Sequence, residues 1–117
     1  MRKSWSSSTA YKSCQSEWVS EDPSYGQCAI TATLVYDMFG GSIHRIRVEG
    51  GGTHYFNKIT GQYVDLTREQ FDLYNIEVAY EPNETMQREY CCKNPDTNAR
   101  YRQLQRNIIA YLKNNED

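Results

Sequence analysis

A cysteine, a histidine and an aspartate follow one another along the chain at positions where they could assemble a reactive thiol. Cys28 comes directly after Gly26 and Gln27 and opens an apolar run of helical character. A thiol at a helix N-terminus is a good nucleophile, because free backbone amides and a nearby imidazolium stabilise its thiolate. His54 and Asp65 lie on segments that are predicted to be strands, and they supply a base and a carboxylate to orient it. The three residue types in this order point to nucleophilic chemistry at cysteine.

The predicted hairpin decides whether His54 and Asp65 can meet. The Thr-Gly dipeptide at 60–61 is a candidate two-residue turn, which sets Phe56 opposite Asp65. Side chains alternate with a period of two residues along a strand, so His54 and Phe56 lie on one face. His54 and Asp65 are then diagonal neighbours, with backbones typically ~7–8 Å apart, and their side chains can reach one another. A three-residue turn would shift the register and send Asp65 to the opposite face.

Each of these residues also has a structural interpretation. A free cysteine often serves as a small buried hydrophobe, a histidine as a hydrogen-bonded core residue, and an aspartate such as Asp65 as a helix N-cap. The backbone amide of Cys28 and the side-chain amide of Gln27 are candidates to donate to a developing oxyanion. Trp18 and Tyr25 are candidates to wall the cleft, although core packing is the commoner use of a tryptophan.

Hydrophobic spacing and turn residues predict the elements that would position this group. The segment 28–39 predicts a helix that is apolar on most sides and therefore buried, and the pair of glycines after it ends the helix. Residues typical of strands lie between turn signals in four segments, at 43–49, 53–59, 62–66 and 75–80. Thr67 is a candidate N-cap of a short helical turn with Gln70, and a further short helix is expected around 8–14.

The C-terminal third is expected to contain a long surface connection and a helix. Residues 81–98 are polar and carry Pro82 and Pro95, and apolar residues then follow helical spacing over 99–113. This last helix has one apolar face, which we expect to pack on the sheet. Helix, antiparallel strands and helix in this order predict an α+β fold, and 117 residues suit a single domain, 1–117.

Composition and charge narrow the class of protein. The formal net charge of −2 gives no basic excess of the kind that a nucleic-acid-binding surface needs. No run approaches the ~20 apolar residues of a membrane span, and the N-terminus lacks the apolar segment of a secretory signal. We therefore expect a cytoplasmic protein with reduced thiols and with neither nucleic-acid nor membrane partners. Adjacent Cys91 and Cys92 lack metal-ligand spacing, no metal or other cofactor is expected, and His44 is expected at the surface.

Several segments resemble the small bacterial YunG family over nearly the whole chain. They are Trp5-Ser6 with Thr9, Trp18, PSYGQCAITA at 23–32, DMFGG at 37–41, HYFN at 54–57 and DLTREQF at 65–71. The order Cys, His, Asp and the segment HYFNKITGQYVDLT also resemble the core of transglutaminase-like and papain-type cysteine enzymes. The resemblance implies a papain-like/transglutaminase-like core with a Cys28/His54/Asp65 triad, in which the helix carrying Cys28 packs on a small antiparallel sheet. Papain-like enzymes have an oxyanion glutamine well upstream of the nucleophile, so Gln15 is a second candidate beside Gln27.

The resulting prediction is a cysteine-dependent acyl-transfer enzyme that acts on a protein, a peptide or a small amide. His54 would deprotonate Cys28, the thiolate would attack a carbonyl, and His54 held by Asp65 would protonate the leaving group. Water as acceptor gives an amide hydrolase or a deamidase, and an amine gives a transglutaminase. The alternative is a catalytically silent binding or inhibitory module on the same scaffold, because a fold does not fix a function. The reactivity of Cys28 separates the two.

Overall fold

The structure, a computed structural model, describes residues 4–11, 14–15, 18, 26–48, 52–68, 79–91 and 93–114. Its elements in chain order are a 3₁₀ turn (Ser7–Thr9), α1 (Cys28–Phe39), β1 (Ser42–Val48), β2 (Gly52–Ile59), β3 (Gln62–Val64), β4 (Glu84–Met86), α2 (Arg88–Cys91) and α3 (Pro95–Asn114). The strands form one antiparallel sheet in the order β3-β2-β1-β4, which confirms the predicted α+β class. None of the described helices is both long and apolar enough to cross a membrane.

Helix α1 has both of the bounds that the sequence predicts. It ends at Phe39 and is capped by Gly40, whose positive φ of 78° is a conformation that glycine adopts most easily. One side of the helix packs Ile30 and Leu34 against α3, and another side packs Ala32 against the sheet. Burial on two sides stabilises the helix through packing, which explains why it tolerates β-branched residues of low helix propensity.

Strands β2 and β3 form the hairpin that the sequence predicts. Ile59 pairs with Gln62, so the connection is a two-residue turn. Both turn residues have positive φ, 52° at Thr60 and 79° at Gly61, as a type I′ turn requires. This confirms the predicted register, which is the one that His54 and Asp65 need to be diagonal neighbours.

The end of β3 differs from the prediction. The strand ends at Val64 rather than at 66, because the chain turns at Asp65. The backbone N–H of Thr67 donates to Oδ1 of Asp65 at 3.2 Å, which closes a side-chain turn in place of further strand pairing. The proposed partner of Thr67 in a capping box, Gln70, lies outside the described residues.

The predicted surface connection at 81–98 is wrong, because this stretch contains β4, α2 and the start of α3. The side chains of β4 are mostly exposed, so the strand pairs with β1 through its backbone and leaves no alternating pattern in the sequence. Helix α3 begins at Pro95, where Oδ1 of Asn94 accepts the N–H of Asp96 at 2.8 Å. Proline suits the first turn of a helix, because an N–H there would have no partner within the helix.

Helix α3 packs on α1 and on the N-terminal segment, and the prediction that it packs on the sheet is wrong. Tyr101 and Leu104 are buried against Leu34 of α1 and against Trp5. Trp5 also donates from Nε1 to Oγ1 of Thr31 at 2.9 Å, which ties the N-terminal segment to α1. Because α1 already covers the sheet, the apolar stripe of α3 meets the outer side of α1.

The short helix expected around 8–14 is a 3₁₀ turn at Ser7–Thr9, closed by the backbone N–H of Thr9 and the carbonyl of Ser6 at 3.2 Å. The strand expected at 75–80 lies largely outside the described residues.

An ionic cluster joins the three helices at the C-terminal end of α1. Arg88 of α2 donates from Nε and Nη2 to the two carboxylate oxygens of Asp37, at 3.1 and 2.9 Å. Tyr101 of α3 donates its hydroxyl to Oδ2 of the same carboxylate. The bond from Arg88 lowers the pKa of Asp37 below its ordinary value, burial opposes this, and the bond from Tyr101 adds to the lowering. The charged carboxylate is therefore the form that holds the helices together.

Candidate active site

Cys28 is the first residue of α1, and its free thiol is half-buried. The side chain of Gln27, at the N-cap position, makes no capping bond to the first turn of the helix. The thiol donates to the backbone oxygen of Thr53, with 3.8 Å between Sγ and that oxygen. The start of α1 is thereby held at the start of β2, one residue before His54.

Gly26 allows the chain to enter α1 close to the N-terminal segment. Its φ is 73°, and a Cβ added there would lie 3.0 Å from Cβ of Cys14 and 3.1 Å from the backbone nitrogen of Tyr11. The same nitrogen donates to the carbonyl of Gly26 at 2.9 Å. This close approach fixes the backbone two residues before the thiol.

His54 lies on β2 with a side chain that is 1% exposed. Its Nε2 donates to Oδ2 of Asp65 at 2.7 Å, which is the diagonal contact expected from the hairpin. Burial lowers the pKa of the imidazole, but the hydrogen bonds and charges of Asp65 and Cys28 outweigh burial and raise it to about 9. The ring is therefore an imidazolium at neutral pH, and Nδ1 is the nitrogen that Asp65 does not engage.

Four hydrogen bonds hold the Asp65 carboxylate, whose side chain is 5% exposed. Besides His54, Oδ2 accepts the hydroxyl of Tyr80 at 2.8 Å. Oδ1 accepts the backbone N–H and the hydroxyl of Thr67 at 3.2 and 3.3 Å. Burial, and then the bond to Asp65, raise the pKa of Tyr80 to about 12, so its hydroxyl stays a donor at neutral pH. The network fixes the orientation of the carboxylate that faces the imidazole.

Phe56 packs behind the His54–Asp65 pair and is 1% exposed. Its ring stacks on His54 with 6.2 Å between centroids and meets Tyr80 edge-on at 4.9 Å. Rings at these separations attract one another beyond simple burial. Phe56 therefore supports both the imidazole and the tyrosine that hold Asp65.

His44 is buried against the other side of Phe56, and the prediction that it lies at the surface is wrong. Its strand, β1, is interior because β4 pairs along the edge that would otherwise be open. The two ring nitrogens bond Oγ of Ser42 at 2.7 Å and Oδ1 of Asn83 at 2.9 Å. These contacts give His44 a structural role next to the candidate site.

The two glutamines predicted to serve an oxyanion make structural contacts. Gln27 is fully buried, and its Oε1 accepts the hydroxyl of Thr9 at 2.7 Å while Nε2 donates to the carbonyl of Ser6 at 3.1 Å. Gln15 donates from Nε2 to the carbonyl of Ala10 at 3.2 Å. Their oxyanion role stays a prediction. The bonds of Gln27 join the N-terminal segment to the start of α1, and the bond of Gln15 lies within that segment.

Trp18 and Tyr25 are the residues predicted to wall the cleft. Trp18 is half-buried, and its backbone N–H donates to the carbonyl of Gln15 at 3.4 Å, whereas Tyr25 lies outside the described residues. Tyr80 binds the aspartate and was missed, because its position carries no sequence pattern that marks such a contact. The bond from the N–H of Thr67 is the one that Asp65 makes in the N-cap interpretation. Among the described residues, no three His, Cys, Asp or Glu side chains are grouped so that they could hold a metal ion.

Comparison with known proteins yields a family and no structural neighbour. The sequence profile of the family described as "YunG protein" matches residues 1–113 of the chain. The chain is 41% identical over 71 residues to "Uncharacterized protein YunG" of Bacillus subtilis (strain 168), a match covering 61% of this chain and 56% of that protein. The matched segment thus spans a little over half the length of this relative. No solved structure matches the chain.

Proposed function

The chain belongs to the YunG family, and we propose that it is a cysteine-dependent acyl-transfer enzyme that uses Cys28, His54 and Asp65. We further propose that α1 and the sheet form a papain-like/transglutaminase-like core. Three placements support that description: the cysteine at the first residue of a buried helix, the histidine on the strand behind it, and the aspartate across the next turn. The substrates are amides of proteins, peptides or small molecules.

The single observation that supports this function best is a buried His54–Asp65 pair beside a half-buried thiol. A buried ion pair adds little stability compared with well-packed hydrophobic residues, because both charges lose their hydration. Here Tyr80 and Thr67 also donate hydrogen bonds to the Asp65 carboxylate. The hydrogen bonds and charges of Asp65 and Cys28 outweigh the effect of burial and raise the pKa of the imidazole to about 9. A histidine with a strongly shifted pKa in contact with a thiol indicates a catalytic role rather than a purely structural one.

In the first half of the reaction, His54 begins as the imidazolium with a proton on Nδ1, and Cys28 reacts as the thiolate paired with it. The thiolate then attacks the carbonyl carbon of the amide, which forms a C–S bond and moves the carbonyl electron pair onto oxygen. When that pair returns, the C–N bond breaks, and the departing nitrogen takes the proton from His54. The amine leaves, and a thioester remains on Cys28.

In the second half, His54 accepts a proton from water or from an amine as that acceptor attacks the thioester. The C–S bond breaks, the sulfur leaves as the thiolate, and the proton stays on His54, which restores the thiolate–imidazolium pair. Asp65 stays ionised throughout and stabilises the imidazolium each time it forms. Water yields an acid, as in a hydrolase or a deamidase, and an amine yields a new amide, as in a transglutaminase.

The oxyanion would be stabilised by backbone donors at the start of α1. The first N–H groups of a helix have no partner within it and carry the positive end of the helix dipole. Gln27 supplies no side-chain cap there. The backbone amide of Cys28 is thus the nearest donor to a carbonyl oxygen under attack by its own sulfur.

One observation favours the competing function, a catalytically silent binding or inhibitory module. Both predicted oxyanion glutamines, Gln27 and Gln15, bond the N-terminal segment instead. A module of that kind would keep the scaffold without a reactive thiol. The two functions therefore differ in whether Cys28 becomes acylated.

The test is trapping of an acyl-enzyme with an activated ester. The protein is mixed with p-nitrophenyl acetate, release of p-nitrophenolate is followed, and the acetylated residue is located by mass spectrometry. We expect a burst of one equivalent with the acetyl group on Cys28, and no burst in Cys28→Ser or His54→Ala. Cys14→Ser, which removes the other described free thiol, serves as the matched control and should keep the burst. Acetylation spread over lysines, with no burst, would contradict the proposal.

A further inference from the structure

A groove of about 430 Å³ opens beside the candidate site, along the sheet between β1 and the stretch that leads into β4. Ligand sites commonly have volumes of about 300–1,000 Å³, so the groove is large enough for a small side chain or a short peptide segment. Neither Cys28 nor His54 is part of its lining, which consists of Arg45, Ile46, Arg47, Thr53, Pro82, Asn83 and Glu84. It suits a part of a substrate that lies next to the scissile bond.

Thr53 connects the groove to the thiol. It lines the groove, and its backbone oxygen lies 3.8 Å from Sγ of Cys28. Arg47 is its partner across the β1–β2 ladder, and directly paired residues have Cα atoms about 4.5–5.5 Å apart. Arg45, the other arginine of the groove, pairs with Tyr55, two residues further along β2. Arg47 is therefore the groove arginine whose strand position lies nearer to Cys28, and its guanidinium is carried on a long flexible side chain.

The two arginines of the groove differ in their pairing. Arg45 forms an ion pair with Glu84 of β4 and lies over the ring of Tyr90. Arg47 is exposed and has no ion pair or hydrogen bond from its side chain to any described residue. Since Glu84 is neutralised by Arg45, one positive charge of the groove has no ion-pair partner among the residues that the structure describes, in a chain of net charge −2. An unpaired cation in a groove next to a nucleophile is a ready partner for a carboxylate.

We infer that this groove binds the acidic part of the substrate through Arg47, so that the enzyme prefers amides with a carboxylate close to the scissile bond. Acidic peptides and acylated acidic amino acids belong to this class. The inference rests on the proposed function, because it names the substrate class of the same thiol. Arg47 acts as a specificity-determining residue and takes no part in the bond changes at Cys28.

Matched electrophiles separate this inference from the proposed function. The probes are the α-amides of N-bromoacetyl-glutamate and N-bromoacetyl-glutamine, which have the same size and differ by one negative charge. In either reaction the Cys28 thiolate attacks the CH₂ carbon, a C–S bond forms, and bromide leaves with the electron pair of the C–Br bond. The concentration dependence of Cys28 modification gives KI for binding and kinact for the chemical step.

We expect the glutamate probe to have a KI about fivefold lower than the glutamine probe, the size of effect that one partly screened ion pair produces. Arg47→Ala should abolish the preference and Arg47→Glu should reverse it, with kinact unchanged in both. Arg102→Ala, which removes an exposed arginine on α3, is the control and should keep the preference. Equal KI values in the wild type, or a preference that survives Arg47→Ala, would overturn the inference. A low kinact for both probes would instead count against the thiol chemistry itself.

Discussion

Nε2 of His54 lies 2.7 Å from Oδ2 of Asp65, and both side chains are almost completely buried. The two residues are eleven positions apart in the sequence and meet because the type I′ turn between β2 and β3 sets the register of the hairpin. Asp65 keeps the imidazole charged at neutral pH, and the chain brings the Cys28 thiol to the start of the same strand.

Asp65 should control the titration of His54. In Asp65→Asn the hydrogen-bonded carboxylate is lost while burial remains, so we expect the pKa of His54 to fall from about 9 by about 1–2 units. In the wild type the ring should keep its proton through neutral pH and lose it as the pH rises through about 9. NMR titration of the imidazole resonances measures this, with His44→Gln used to assign the two rings. A His54 pKa that is the same in wild type and Asp65→Asn would contradict the account.

Tyr80 should act as a positioning residue through Asp65. Tyr80→Phe removes one donor from Oδ2, so the carboxylate becomes a stronger acceptor for the imidazolium, and the pKa of His54 should rise further. The free energy of unfolding should fall by about 1 kcal/mol for the lost hydrogen bond. Tyr63→Phe is the matched control, because that hydroxyl donates to Glu81 and not to Asp65. Equal effects of the two substitutions on the His54 titration would rule out the positioning role.

Gln27 should matter for stability more than Gln15 does. Gln27→Ala removes the acceptor of the buried Thr9 hydroxyl and the donor to the Ser6 carbonyl. The Thr9 hydroxyl and the Ser6 carbonyl still bond each other at 3.0 Å, so the cost is that of two hydrogen bonds at about 1 kcal/mol each, and the free energy of unfolding should fall by about 2 kcal/mol. Gln15→Ala loses one partly buried bond and should cost less than about 1 kcal/mol. Urea unfolding of both variants measures the difference, and equal losses would show that Gln27 has no special structural role.

Asp37 should make the fold sensitive to acid. The bond from Arg88 lowers the pKa of this carboxyl in the folded state, so its contribution is present above the ordinary value of 3.8 and is lost as the pH falls through the lowered value. Asp37→Asn should therefore lower the free energy of unfolding by about 1 kcal/mol at neutral pH, a figure that allows for partial exposure of the pair. Its stability should also depend less on pH below 4 than that of the wild type. Parallel acid-unfolding profiles for the two proteins would contradict this role.

Local signals predicted the parts of the fold that local interactions determine. The pair of glycines after α1 predicted where that helix ends. The Thr-Gly turn predicted the register of β2 with β3. The same register predicted the contact between His54 and Asp65. The reactivity that this contact suggests stays a prediction.

Long-range contacts account for what the sequence did not reveal. β4 has three residues and pairs through its backbone, so it carries no hydrophobic period. The position of β4 beside β1 leaves His44 buried. Because α1 covers the sheet, α3 packs on α1 instead of on the sheet. Tyr80 reaches Asp65 from fifteen residues away, and nothing in its own segment marks that partner.

The most direct test of the account is the rate of Cys28 alkylation by iodoacetamide as a function of pH. It is measured in the wild type, His54→Ala and Asp65→Asn, with each modified cysteine identified by mass spectrometry and Cys14 as the internal comparison. A thiolate held by an imidazolium predicts that Cys28 reacts fast at neutral pH, ahead of Cys14, and that both variants slow it. If Cys28 reacts only above the ordinary thiol pKa of ~8.5, or only after unfolding, it is a core residue and the acyl-transfer account is wrong.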